Sequence, residues 1–132
     1  MQELPLKGVK VLELATVVAA PTVARMMADY GAEVIKIEAP NGDLLRSIGG
    51  GFLMPMEPDN NPLYDLCNSG KQMASLNLKK PEGMEIFHRL LARSDVFITN
   101  VRMRSLEKMG LGYDELKEKY PGWCTPIFPA LA

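Results

Sequence analysis

Two kinds of residue along this chain suit the handling of a polyanion. Asn100, Arg102 and Arg104, with Lys108 one turn further on, place cations and a polar amide just after an apolar run. Charge-assisted hydrogen bonds of this kind are the strong ones for phosphate groups. Val18-Ala19-Ala20-Pro21 offers small residues at a helix start. Small side chains let a ligand approach the backbone, and the positive end of a helix favours a phosphate. Each feature alone also fits a plainer role. Ala19-Ala20-Pro21 suits a tight strand-to-helix turn, and the arginines and Lys79-Lys80 suit a solvated surface. Gly49-Gly50-Gly51 neither follows a strand nor opens a helix, so it makes a poor phosphate loop. His88, the single histidine, reads as structural or exposed. Cys67 and Cys124 lie far apart with no Cys-x-x-Cys partner, so they read as free thiols and give no metal site.

The elements that must position these residues follow from periodicity. Val9 to Leu14 reads as a buried strand. Pro21 suits the first turn of a helix, with Val23, Met26, Met27 and Tyr30 on its apolar face and Gly31 as its stop. Val34 to Glu38 is a second strand. Residues 41–70 hold glycines, prolines and no sustained period, and read as a surface excursion. Ala74 to Leu78 alternates like a strand. Pro81 opens a helix with Met84, Phe87, Leu90 and Leu91 as its buried stripe. Asp95 to Asn100 is a further strand, Arg104 to Met109 a short helix, and Asp114 caps a last helix to about Tyr120. Strand, helix and strand in close succession predict an α/β domain, a Rossmann-like parallel sheet flanked by helices. In such sheets ligands bind beyond the carboxyl ends of the strands. The segments leaving that edge are Thr16 to Ala20, Ala39 to Asp43 and Asn100 to Ser105.

Composition sets bounds. The chain has 132 residues, 47% hydrophobic and 23% charged, with a net charge of -1, which is one globular domain without the basic stripe of a nucleic-acid binder. No apolar run reaches the length of a membrane span and the first residues lack the blocks of a secretory signal, so the expected setting is cytoplasmic.

The order of motifs is more specific. Leu6 to Leu14, Ala20-Pro21, and Met27 to Glu38 resemble the opening of the class III coenzyme A transferases, which include formyl-CoA transferase and the carnitine and bile-acid CoA-transferases. The resemblance runs on through Gly42-Asp43, Arg46, Lys71, Leu76 to Gly83, Ser94 to Asn100, and Gly110 to Tyr113 with Leu116. It covers residues 6 to about 122. Tyr64-Asp65-Leu66 with Asn68, and Thr99-Asn100 with Arg102, look nearest to the 2-hydroxyacid and aryl-lactate CoA-transferases.

The resemblance implies a nucleotide-binding fold, two chains threaded as an interlocked homodimer, and transfer of coenzyme A from an acyl thioester to a carboxylic acid, here a 2-hydroxy acid. Acyl-CoA and the acid are then the partners, with no metal, nucleic acid or membrane. In such transferases an aspartate attacks the thioester, and a mixed anhydride forms and exchanges with the thiolate. That aspartate is expected beyond Pro121 and none of the aspartates here takes its position, so no catalytic residue is assigned and the chain alone is expected to be inactive. Carried over by position, Val18 and Ala19 touch the coenzyme through backbone. Leu76, Asn77, Leu78 and Lys79 line its nucleotide end. Asn100, Val101 and Arg102 sit by the pantetheine and phosphates, and Lys108 stands for a phosphate-binding arginine. Ala39 replaces an arginine that packs on adenine in formyl-CoA transferase. Val18 replaces a glutamine there, which argues against formyl and oxalyl substrates.

Residues 1–122 thus read as the coenzyme-binding segment of an incomplete domain. Trp123 to Ala132 depart from the resemblance, and the neighbouring reading frame permits Leu-Val-Tyr-Ala-His-Phe-Ser-Gly-Phe-Gly there. The expectation is an out-of-frame tail over 123–132, made by a one-base deletion near the codon for Gly122. The rival readings are a stand-alone coenzyme A or nucleotide-binding module, and a dehydrogenase piece that lacks the glycine fingerprint.

Overall fold

The computed structural model describes residues 3–122. The expected out-of-frame tail, 123–132, lies outside the described residues, as does Cys124. Four strands make one parallel sheet: β1 (Lys10–Leu14), β2 (Glu33–Glu38), β3 (Gln72–Ser75) and β4 (Val96–Thr99). Their order in the sheet is β3-β2-β1-β4. The chain runs outward from β1 to β3 and then crosses to the other side of β1 for β4. That reversal opens a crevice at the carboxyl ends of the strands.

Helices cover both faces. They are α1 (Ala19–Asp29), α2 (Leu45–Ile48), α3 (Pro62–Asn68), α4 (Pro81–Leu91), α5 (Met103–Lys108) and α6 (Tyr113–Lys119). Successive strand residues point to opposite faces. Val11 and Ala15 therefore pack with Ala20, Ala24, Val34 and Ile98 on the α1 side. Leu12 and Ile37 pack with Phe87, Leu91, Phe97, Leu106, Leu111 and Leu116 on the side of α4 to α6. Phe87 and Phe97 meet edge to face, with centroids 5.8 Å apart. His88 Nδ1 lies 3.0 Å from the Tyr120 hydroxyl, tying α4 to the end of α6. Burial, then the charge of Lys119, hold this imidazole below its ordinary pKa.

The structure departs from the periodicity in four places. Helix α1 starts at Ala19 with Pro21 in its first turn, as expected, but its buried residues are Ala20, Pro21 and Ala24. Of the expected apolar face, Val23 and Met27 pack partly buried against this core, while Met26 and Tyr30 are exposed. Residues 41–70 are not featureless. They hold α2, a 3₁₀ turn over Gly49–Phe52, and α3, seated through buried Leu45, Tyr64 and Cys67. Asn61 Oδ1 caps α3 by accepting from Tyr64 N at 3.1 Å. Strand β3 begins two residues earlier than its alternation suggests, and Leu76 N extends the pairing to Glu38 O at 2.9 Å. Helix α6 starts at Tyr113 with Gly112 as its N-cap, whose N–H donates to Glu115 Oε2 at 3.1 Å, so Asp114 is not its cap.

Candidate functional site

At the carboxyl ends of β1, β2 and β3 lies a cleft of about 480 Å³. Leu14, Ile37, Leu76, Leu78, Val101 and Met109 give it an apolar floor. The segment Glu38 to Asp43 forms one rim, and Asn77 with Lys79 another. An apolar slot with a few polar groups at its edge suits a flat ring carrying a charged tail.

Six expected site residues meet here: Ala39, Leu76, Asn77, Leu78, Lys79 and Val101. The turn that carries four of them is shaped by Asn77. Its Oδ1 accepts from Lys79 N at 3.0 Å and its carbonyl accepts from Lys80 N at 3.0 Å. Gly83 in the first turn of α4 makes this possible. A Cβ there would stand 2.2 Å from the Asn77 carbonyl oxygen.

Val18, Ala19, Asn100, Arg102 and Lys108 do not line this cleft. Val18 and Ala19 are exposed at the β1-to-α1 connection. Arg102, Arg104 and Lys108 are exposed along α5 and its start. The amide of Asn100 is turned to the protein. Its Oδ1 accepts from Thr16 N at 3.1 Å and its Nδ2 donates to Thr16 O at 2.8 Å. Asn100 clips the β4 exit to the β1 exit.

Charged residues without an expected role stand behind the site. Glu13 and Lys36 are register partners on β1 and β2, and both side chains are fully buried. Lys36 Nζ lies 2.8 Å from Glu13 Oε1, 3.0 Å from Asp43 Oδ2 and 2.8 Å from Ala15 O. Lys71 Nζ lies 2.6 Å from Glu13 Oε2 and donates to Pro21 O at 2.8 Å and Asn68 Oδ1 at 3.0 Å. Burial lowers the pKa of Lys71, and the charge of Glu13 opposes that shift. Buried charges persist where each is paired and hydrogen-bonded. Glu13 and Lys36 interrupt otherwise apolar strands, and a charge at an inward strand position was the available signal.

A second cluster buttresses the β2 end of the cleft. Arg46 grips Glu38 through Nε at 2.8 Å and Nη2 at 3.1 Å. Its guanidinium also lies 3.8 Å over the Tyr64 ring, and the Tyr64 hydroxyl donates to Glu38. Burial alone would raise the Glu38 pKa, but the hydrogen bonds from Arg46 and Tyr64 outweigh it and hold the carboxyl below its ordinary value. Burial and then Glu38 push the Tyr64 hydroxyl far above its own. A carboxylate so engaged at the end of β2 is spent on structure. In dinucleotide-binding domains a carboxylate some twenty residues past the glycine loop takes a ribose hydroxyl.

Among the described residues, no group of three or more His, Cys, Asp or Glu is placed to hold a metal ion. No described helix is long and apolar enough to cross a membrane.

A parallel sheet with its crevice at the strand ends defines a Rossmann-like α/β domain. The chain belongs to CoA-transferase family III, whose family model matches residues 6–123. It is 53% identical over 117 residues to an (R)-2-hydroxy-4-methylpentanoate CoA-transferase from Clostridioides difficile, covering 89% of this chain and 29% of that protein. It is 50% identical over 114 residues to a cinnamoyl-CoA:phenyllactate CoA-transferase from Clostridium sporogenes, covering 86% of this chain and 28% of that one. Among solved structures it matches a CAIB/BAIF family protein from Brucella suis with a TM-score of 0.84 and 38% identity, covering 94% of this chain and 33% of the other. The chain thus spans about a third or less of the proteins it matches.

Proposed function

We propose that these residues are the coenzyme-binding part of a CoA-transferase that moves coenzyme A from an acyl thioester to a 2-hydroxy carboxylic acid. The observation that carries this reading is the apolar cleft at the strand ends, lined by Ala39, Leu76 to Lys79 and Val101. Its floor fits the adenine ring and its Lys79 rim fits a phosphate. Glycine-loop dinucleotide binding lacks both the loop and an available carboxylate at Glu38. The 2-hydroxy acid class rests on the two relatives at 53% and 50% identity, whose names carry a hydroxypentanoate and a phenyllactate. Val18, Ala19, Arg102 and Lys108 then contact the coenzyme outside the cleft, and the working enzyme is a cytoplasmic homodimer. Asn100 serves as the clip that holds the receiving loop.

The test is titration calorimetry of the chain with coenzyme A, with NAD as control. Saturable binding of coenzyme A, weakened about tenfold by Lys79→Ala, is the expected outcome. Binding of NAD in preference to coenzyme A would sink the reading. Tight coenzyme A binding with no transferase activity in any longer version of the protein would favour a binding module.

A further inference from the structure

We propose that Asp43 is a positioning residue. Through the buried charges behind the cleft, it presets the backbone that presents Val18 and Ala19 before any ligand arrives. What that backbone receives rests on the coenzyme A reading above; the restraint itself does not.

Asp43 is 2% exposed; its Oδ1 is hydrogen-bonded and its Oδ2 has an ion pair but no hydrogen bond. Its Oδ1 accepts from Val17 N at 3.1 Å and from Leu45 N at 3.0 Å. Its Oδ2 lies 3.0 Å from Lys36 Nζ. Lys36 donates hydrogen bonds to Glu13 Oε1 and the Ala15 carbonyl, and it meets Asp43 as an ion pair. Glu13 then hands its second oxygen to Lys71, which reaches the Pro21 carbonyl in the first turn of α1. Two carboxylates and two ammonium groups balance in charge where all four side chains are buried.

The contacts fall on one stretch of backbone. It is held at Ala15 O by Lys36, at Thr16 N and O by Asn100, at Val17 N by Asp43 and at Pro21 O by Lys71. Val18 and Ala19 lie between the holds and are exposed. Val17 adopts φ 68°, a left-handed conformation that a β-branched residue seldom takes. Such a conformation persists only where its surroundings over-determine it. Val17 N has its bond to Asp43, and the hold lies one residue before the presented backbone. Asp43 also stands on the rim of the cleft, so one carboxylate ties the β2 exit to the β1 exit. A loop ordered in advance loses less entropy on binding.

The 132-residue chain, unaltered and as Asp43→Asn, is followed by residue-resolved hydrogen exchange and by coenzyme A titration. In the unaltered chain the Val17 amide is expected to exchange as slowly as the amides of β1, although it lies in a connection. Asp43→Asn, which removes the charge but keeps an oxygen acceptor, speeds exchange at Val17 to Ala19 by about tenfold or more while β1 and α4 stay within about twofold. The same change weakens coenzyme A binding by about tenfold, and Asp43→Glu, which keeps the charge, recovers part of it. Fast exchange of Val17 in the unaltered chain overturns the proposal, and that measurement needs no variant to fold. So does an exchange increase in Asp43→Asn that is spread evenly over the strands, because Asp43 would then support the whole fold and not this connection. If the unaltered chain binds no coenzyme A while Val17 stays protected, the ligand reading falls and the restraint stands.

Discussion

Glu38 shows how one side chain can look functional and be structural. It closes β2, where an acidic residue in a dinucleotide-binding fold meets ribose. Here Arg46 and Tyr64 occupy it, and its pKa lies below the ordinary carboxylate value. The sign of the linkage follows. A carboxyl with a lowered folded-state pKa stabilises the fold fully above its unfolded value, and that contribution is lost as pH falls through the folded one. The thermal midpoint should therefore drop as pH falls below about 4. Glu38→Gln should flatten that part of the profile and lower the midpoint at neutral pH. Melting curves by circular dichroism between neutral and acidic pH decide this; an unchanged acid limb in the variant would assign the loss to other carboxylates. Arg46 is partly exposed, so the effect is smaller than a fully buried pair would give.

At the scale of elements, the cleft depends on how closely α4 approaches the β3 exit. Gly83 sits in the first turn of α4 against the Asn77 carbonyl, with no room for a methyl group. Gly83→Ala must move either the helix or the turn from Leu76 to Lys79. Overpacking of this kind costs about 1–3 kcal/mol. The expected outcome is a lower midpoint in denaturant with unchanged slope, together with weaker coenzyme A binding, because the displaced turn carries Leu78 and Lys79. Wild-type affinity in the variant would show that this turn lies outside the ligand site. The preceding sequence, Leu-Lys-Lys-Pro-Glu-Gly, signals a helix start, but nothing in its periodicity shows that the helix lands on a carbonyl six residues back.

At the scale of the whole molecule, the segment after β2 leaves apolar surface uncovered. Leu53 is 97% exposed and Phe52 66%, with Leu44, Met54 and Met56 also exposed in the same segment. Contiguous apolar patches on a soluble surface promote association. The chain should therefore self-associate as its concentration rises, and replacing Phe52 and Leu53 together by serine should reduce this. Sedimentation velocity over a range of concentrations reads it. An identical concentration dependence in the double variant would put the contact on another face.

What was legible in the sequence was what repeats along it. The apolar runs at Val9 to Leu14, Val34 to Glu38 and Asp95 to Asn100 marked three strands, and the stripe of Phe87 and Leu91 marked α4, because burial of one face imposes a period. The order of motifs pointed to the family that the comparison then showed. The segment 41–70 was not legible. Its helices are short, and their buried residues Leu45, Tyr64 and Cys67 pack on one another, with Cys67 meeting Thr22 of α1 and Tyr64 meeting Glu38 of β2, and follow no period of their own. The partners of charged residues were equally out of reach. Glu13 and Lys71 are 58 residues apart (71 − 13) in the chain and 2.6 Å apart in the fold. That the amide of Asn100 would pair with Thr16, 84 residues away in the chain, was equally out of reach. Residue type states what a side chain is able to bind. Only the packing of β1 between β2 and β4 decided which partner each one met, since those contacts join strands distant in the chain.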